Sequence, residues 1–170
     1  VLMENVGTPY VVNCLYFCDP DGKTEYVQSR EKMPVDERTP SIGRIAFRNV
    51  TATDVACAGY FLGLPEKPIE RVEMENVSIS CGADAAPMAP AMACGVEKVS
   101  RKGLVAINVD KVVMKNVTIN GTTGDKYGIY AYGGELELSD SSIADVSSTA
   151  VKVDAGSTVT LTNVTIKDVA

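Results

Sequence analysis

The 170-residue chain is 45% hydrophobic and carries 16 Lys and Arg against 22 Asp and Glu, a formal net charge of −6, with no histidine. That length suits one domain with a respectable buried core. Its longest apolar runs fall far short of a membrane span, and its acidic balance argues against a nucleic-acid partner. Without histidine the commonest metal ligand and the commonest general base at neutral pH are both missing, and no metal or cofactor is expected.

Residues 1–6 read V-L-M-E-N-V, with apolar positions two apart followed by Asn5 and Val6. Residues 9–17, Pro9-Tyr10-Val11-Val12-Asn13-Cys14-Leu15-Tyr16-Phe17, read as a buried strand ending in aromatics. Residues 18–43 break the pattern with many charges and prolines at 34 and 40, and form the longest non-repeating segment. Loops inserted into repeat coils tend to rim a binding face; a solvated charged loop is the alternative. Within it, Asp19-Pro20-Asp21-Gly22 offers two carboxylates. No further ligand series or distal Glu follows, so the stretch reads as a turn rather than a calcium loop.

The opening unit then returns. Residues 45–51 read I-A-F-R-N-V-T, 72–79 V-E-M-E-N-V-S-I, 112–119 V-V-M-K-N-V-T-I and 159–166 V-T-L-T-N-V-T-I, with a decayed copy, L-E-L-S-D-S-S-I, at 136–143. Residues 58–64, 103–109, 128–132 and 150–153 read as further strands, 65–69 as a corner, and 83–93 as a loop of small residues. The key Asn or Asp recurs at Asn5, Asn49, Asn76, Asn116, Asp140 and Asn163, the last two intervals being 24 and 23 residues. Apolar and polar residues alternate with period 2, not 3.6. A unit of roughly 23 residues holds two or three short strands with their turns.

This pattern predicts an all-β solenoid of about six coils, stacked at roughly 4.8 Å with equivalent residues above one another. The recurring Asn marks a bend, where it tolerates left-handed geometry and bonds along a ladder. The crossover rule makes the fold a right-handed parallel β-helix. One domain is expected over 1–170. Within it, coils 1–122 carry the loop 18–43, and coils 123–170 are short and regular. From residue 125 onward the chain has no Pro, Cys, Met or Phe. The chain starts inside one repeat and ends straight after another, so a fragment of a longer protein, incomplete at the N-terminal end, is expected.

Cysteines 14, 18, 57, 81 and 94 are odd in number and show no metal spacing; buried thiols are expected, with a disulfide as the alternative. Asn49, Asn76, Asn116, Asn120 and Asn163 head N-x-S/T sequons. Four of these coincide with the bend, so coil geometry explains them without glycans.

Gly63-Leu64-Pro65-Glu66-Lys67-Pro68-Ile69-Glu70, followed by Val72-x-x-x-Asn76-Val77-Ser78-Ile79, resembles the C-terminal part of glycoside hydrolase family 28, the polygalacturonase family. Met3-x-Asn5-Val6, Val12-Asn13-x-x-Tyr16 and Asp19-Pro20-Asp21-Gly22-Lys23 look like its bacterial branch. The resemblance covers about residues 1–122; the tail from Tyr127 is similar to generic β-helix coils. It implies a right-handed parallel β-helix from an enzyme that hydrolyses galacturonan with inversion. That chemistry needs one carboxylic acid and one carboxylate base on opposite faces of the sugar. The family carries it on Asn-Thr-Asp, Asp-Asp and Gly-His-Gly motifs, followed by Arg-Ile-Lys. None stands in this chain, and Arg44-Ile45-Ala46 lacks the lysine. No catalytic residue is therefore assigned.

The resemblance does imply that Tyr16 lines the sugar subsites, offering a ring face and a hydroxyl. Arg30 and Arg38, with Lys23 and Lys32, are offered to galacturonate carboxylates, which Arg forks match bidentately. Ion pairing with acids of the same loop is the alternative. The expected partners are galacturonan or oligogalacturonide and the upstream coils of the parent chain, with no nucleic acid and no membrane. The chain would supply scaffold and part of the substrate groove of a pectin-degrading hydrolase. A non-catalytic β-helix binding or adhesin module is the alternative. Free thiols favour a reducing compartment and a polymeric substrate favours export, so the compartment stays open.

Overall fold

The computed structural model describes residues 1–154 and 156–170. Its elements in chain order are β1 (Leu2–Glu4), β2 (Val11–Asn13), the one-turn helix α1 (Glu25–Gln28), β3 (Arg44–Val55), β4 (Cys57–Leu62), β5 (Arg71–Cys81), β6 (Lys102–Ile107) and β7 (Lys111–Thr122). After these come β8 (Tyr127–Tyr132), β9 (Glu135–Ser139), β10 (Ser142–Val146), β11 (Thr149–Asp154), β12 (Thr158–Thr162) and β13 (Thr165–Val169). Each named strand pairing is parallel. One sheet runs β1-β3-β5-β7-β10-β13, six levels deep, with β9 and β12 continuing beside β7; the other runs β2-β4-β6-β8-β11. This is the parallel β-helix of about six coils that the repeat predicts.

The repeat unit makes a bend within each long strand. Asn49, Asn76 and Asn116 lie in the middle of β3, β5 and β7 with φ of 55°, 54° and 53°. Asn tolerates this left-handed region better than most residues because its short amide bonds locally. In the last two coils Asp140 and Asn163 take the same conformation, and there the bend separates β9 from β10 and β12 from β13. The coil therefore has three faces: one before the bend, one after it, and the β2–β11 sheet.

Inward residues stack in register. Val72 lies on Val112 and Leu136, Met74 on Met114 and Leu138, and Ile79 on Ile119 and Ile143, all buried. Each such side chain contributes about 1.5–3 kcal/mol of apolar burial. Near the first coils the core turns aromatic. Tyr10 meets Phe47 edge-on at 4.9 Å, and Phe47 stacks on Phe61 at 6.1 Å. The decayed copy keeps its place because Ser141, buried where other coils have Val, accepts from the Val117 N–H at 3.0 Å and donates to the Ser139 carbonyl at 2.7 Å.

The first repeat copy sits differently from its sequence alignment. Leu2, Met3 and Glu4 pair with Thr51, Ala52 and Thr53. Asn5, with φ of 54°, therefore falls in the row of Asp54, φ 55°, and not over Asn49. The coil has a second left-handed corner, occupied by Asp54, Gly121, Asp145 and Asp168, and Asn5 belongs to it. The segment 9–17 is also shorter as a strand than its apolar run suggests, since only Val11–Asn13 pairs with β4.

Candidate functional site: a tyrosine-floored trough

The outer face of the second sheet is unusually apolar. Side chains alternate along β4, β6 and β8, so Tyr60, Val105 and Tyr130 form one outward row and Leu62, Ile107 and Tyr132 the next. Two loops cover part of this face. Residues 14–43 leave the C-terminal end of β2, and residues 82–101 approach the N-terminal end of β6. They meet where Tyr16 and Ala93 form an antiparallel bridge, and the Asn13 side chain donates to the Met92 carbonyl at 3.2 Å. Beneath them a second apolar cluster buries Leu15, Tyr60, Leu62, Leu64 and Val105.

The longer loop is built rather than merely solvated. Asp19 and Asp21 carbonyls accept from Gly22 and Thr24, as the turn reading predicts. Thr24 caps α1 by accepting from the Val27 N–H at 3.4 Å. Gln28 Nε2 ties the loop together, donating to the Leu15 carbonyl at 2.9 Å and the Gly22 carbonyl at 2.7 Å. This brace carries the adjoining Arg30 over the sheet.

The cover stops short of β8, and a trough opens there. Two hollows, of about 310 Å³ and about 350 Å³, share Arg30, Ile107 and Tyr130. One end is lined by Leu62, Pro65 and Tyr132. Its wall needs a glycine: a Cβ on Gly63 would lie 2.1 Å from the Asn108 carbonyl oxygen. Asn108, φ 53°, returns its side-chain amide to the Gly63 carbonyl at 3.2 Å. The other end is lined by Glu97, Lys102, Asp125 and Tyr127. There Lys102 Nζ pairs with Asp125 Oδ2 at 3.2 Å, and the rings of Tyr127 and Tyr130 stack at 5.6 Å, 21° apart. Arg30 is exposed and makes no ion pair among the described residues. Partial burial and the nearby Asp154 carboxylate push the Tyr130 phenol up, so it stays a neutral donor at neutral pH.

Of the residues offered from sequence, Arg30 stands in the trough. Tyr16, 44% exposed, lines a separate hollow of about 260 Å³ with Val11, Asn13 and Met92. Arg38 pairs with Asp36 at 3.0 Å and lines a pocket between the loop and the corner at Leu64 and Glu66. Lys23 lies over the Phe17 ring, 4.7 Å from its centroid. Tyr127, Tyr130 and Tyr132 are not among the residues that the sequence patterns single out. The signal was there: in Y-G-I-Y-A-Y, Tyr130 and Tyr132 share one face while Ile129 and Ala131 fill the core.

The five cysteines are free thiols. Among the described residues no cluster of three or more Cys, Asp or Glu is placed to hold a metal ion.

A family model described as right handed beta helix region matches residues 66–170. No curated protein and no solved structure matches the chain. That match spans more than half of the chain and agrees with its stacked parallel strands, and the chain belongs to the right-handed β-helix family.

Proposed function

We propose that this chain is the carbohydrate-binding C-terminal segment of a pectin-degrading glycoside hydrolase, one that cleaves galacturonan with inversion. The chain supplies scaffold and part of the substrate groove, and the parent's upstream coils supply the acid and base. The observation that carries the reading is the trough, in which Tyr127, Tyr130 and Tyr132, with the buried Tyr60, line hollows shared with Arg30, which makes no ion pair among the described residues. Tyrosine rings take the apolar faces of sugars while their hydroxyls bond to sugar oxygens. A guanidinium fork takes a uronate carboxylate bidentately. The resemblance at residues 63–79 points to the same substrate.

Within the trough itself the carboxylates suit binding rather than cleavage. Inverting hydrolysis needs a separated acid and base with a water between them. Asp125 is taken up by Lys102, and Glu97 is exposed on its loop. Affinity electrophoresis of the chain through pectin and through a neutral glucan tests the reading. Retardation by pectin alone supports it; equal retardation by both, or by neither, overturns it.

A further inference from the structure

Charge is distributed unevenly along the trough. β8 runs 6 residues, Tyr127 to Tyr132, along its floor. At about 3.3 Å per residue that is roughly 17 Å, room for a short run of sugar units. It is also about two Debye lengths at physiological salt, so charges at its two ends are sensed separately. At the Gly63 end Leu62, Pro65, Ile107 and Tyr132 present no charge, and beside Tyr130 and Tyr132 on β11 Lys152 and Asp154 pair with each other at 2.8 Å and leave no net charge. In the middle stands Arg30, the one cation of the trough with no carboxylate partner among the described residues. At the far end Glu97 and Asp125 face the single cation Lys102, already paired, which leaves an excess of one negative charge.

We propose that the trough selects an acidic oligosaccharide carrying one free carboxylate at its centre between neutral or esterified units, and disfavours a chain with a carboxylate on every sugar. This rests on the acidic-sugar reading above. A uniformly charged chain would satisfy Arg30 once. It would then place one carboxylate beside Glu97 and Asp125 and another against the wall of Pro65 and Tyr132, where the adjoining Lys152 is already paired with Asp154. A methyl ester fits that wall instead, because burying a methyl group there costs no desolvation of charge.

The test titrates the intact chain with oligogalacturonides of one length in three forms: fully de-esterified, partly methyl-esterified and fully methyl-esterified. The partly esterified form should bind about 5- to 10-fold more tightly than the de-esterified one, the scale of one like-charge contact at a protein surface. Glu97→Gln should narrow that ratio by relieving the de-esterified ligand, and Arg30→Gln should abolish the advantage of the partly over the fully esterified form. Tightest binding by the de-esterified form, or a preference that Glu97→Gln leaves intact, overturns the proposal. If none of the three forms binds, the acidic-sugar reading itself fails and this inference with it.

Discussion

Asn116 donates its side-chain amide to Asn76 Oδ1 at 2.8 Å, across 40 residues of sequence. Asn76 makes the same bond to Asn49 at 3.0 Å, and Asn163 to Asp140 at 2.8 Å. Each rung points back to the preceding coil, and each residue sits in the left-handed region. The ladder is broken at one place, because Asp140 has no amide hydrogen to return to Asn116.

Asp140→Asn should close that gap. It can still accept from Asn163 and can now donate to Asn116, and Asn keeps the left-handed geometry. One net hydrogen bond contributes about 0.5–1.5 kcal/mol, which for a chain of this size is a rise in Tm of about 1–6 °C. Thermal unfolding by circular dichroism checks it. Asn116→Ala in parallel should destabilise, since it removes a rung and leaves a β-carbon in a disfavoured conformation.

Tyr10→Phe should be neutral or stabilising. The Tyr10 hydroxyl is buried and has no hydrogen-bond partner among the described residues, while its ring packs on Phe47. An unsatisfied buried polar group costs about 1–3 kcal/mol, and removing it leaves the aromatic contact in place. A urea-unfolding midpoint that drops in Tyr10→Phe would show that the hydroxyl is satisfied after all.

Stability should fall as pH rises from about 9 to 12. Burial pushes the Cys81 thiol from its ordinary 9.0, and the Tyr10 phenol from 10.0, each up to about 12. Burial also raises Cys14 and Cys57. The folded state therefore holds protons that the unfolded state releases, so stability is fully present below the unfolded values and is lost above them. Urea midpoints measured under reducing conditions between pH 8 and pH 11 should decline, and Cys81→Ala should make the decline shallower.

Glu73→Gln should destabilise the chain more at low salt than at high salt. Glu73 holds Arg44 at 2.5 Å, Arg71 at 2.6 Å and Arg48 at 3.1 Å on the outer face of β3 and β5. Arg44 first, and then Arg71, hold its carboxyl below the usual range. Neutralising it leaves the Arg44 and Arg71 guanidinium groups beside each other, with Arg48 still held by Glu75 at 3.2 Å, a repulsion that salt screens. A Tm loss of the same size at low and high ionic strength would count against this account.

Arg30→Gln and Tyr130→Ala should each weaken pectin binding, the first by about tenfold or more, as expected for a charge-assisted hydrogen bond. Tyr16→Phe should change it by less than about twofold, because Tyr16 lines a separate hollow and only a hydroxyl is lost. Isothermal titration of the three variants separates the trough from the Tyr16 hollow. A larger effect at Tyr16 than at Arg30 would move the binding site to the other side of the loop junction.

The amino-acid sequence by itself determined the architecture. Period-2 alternation with Asn or Asp at Asn49, Asn76, Asn116, Asp140 and Asn163 places a strand, a left-handed bend and a second strand in each coil, and stacking buries the inward residues of the inner coils on their equivalents, while Val159, Leu161, Ile166 and Val169 of the last coil stay exposed. Tertiary structure alone decided the rest. Both corners use Asn or Asp, so local sequence could not say that Asn5 pairs into the Asp54 row; backbone pairing of Leu2 with Thr51 settled it. Nor could periodicity say which outer face carries the trough, because all three faces alternate alike. That choice follows from two loop paths, held by Gln28 on the Leu15 carbonyl and by Tyr16 against Ala93. They bring Arg30 over Tyr130, from a coil far distant in sequence, through contacts that no repeat encodes.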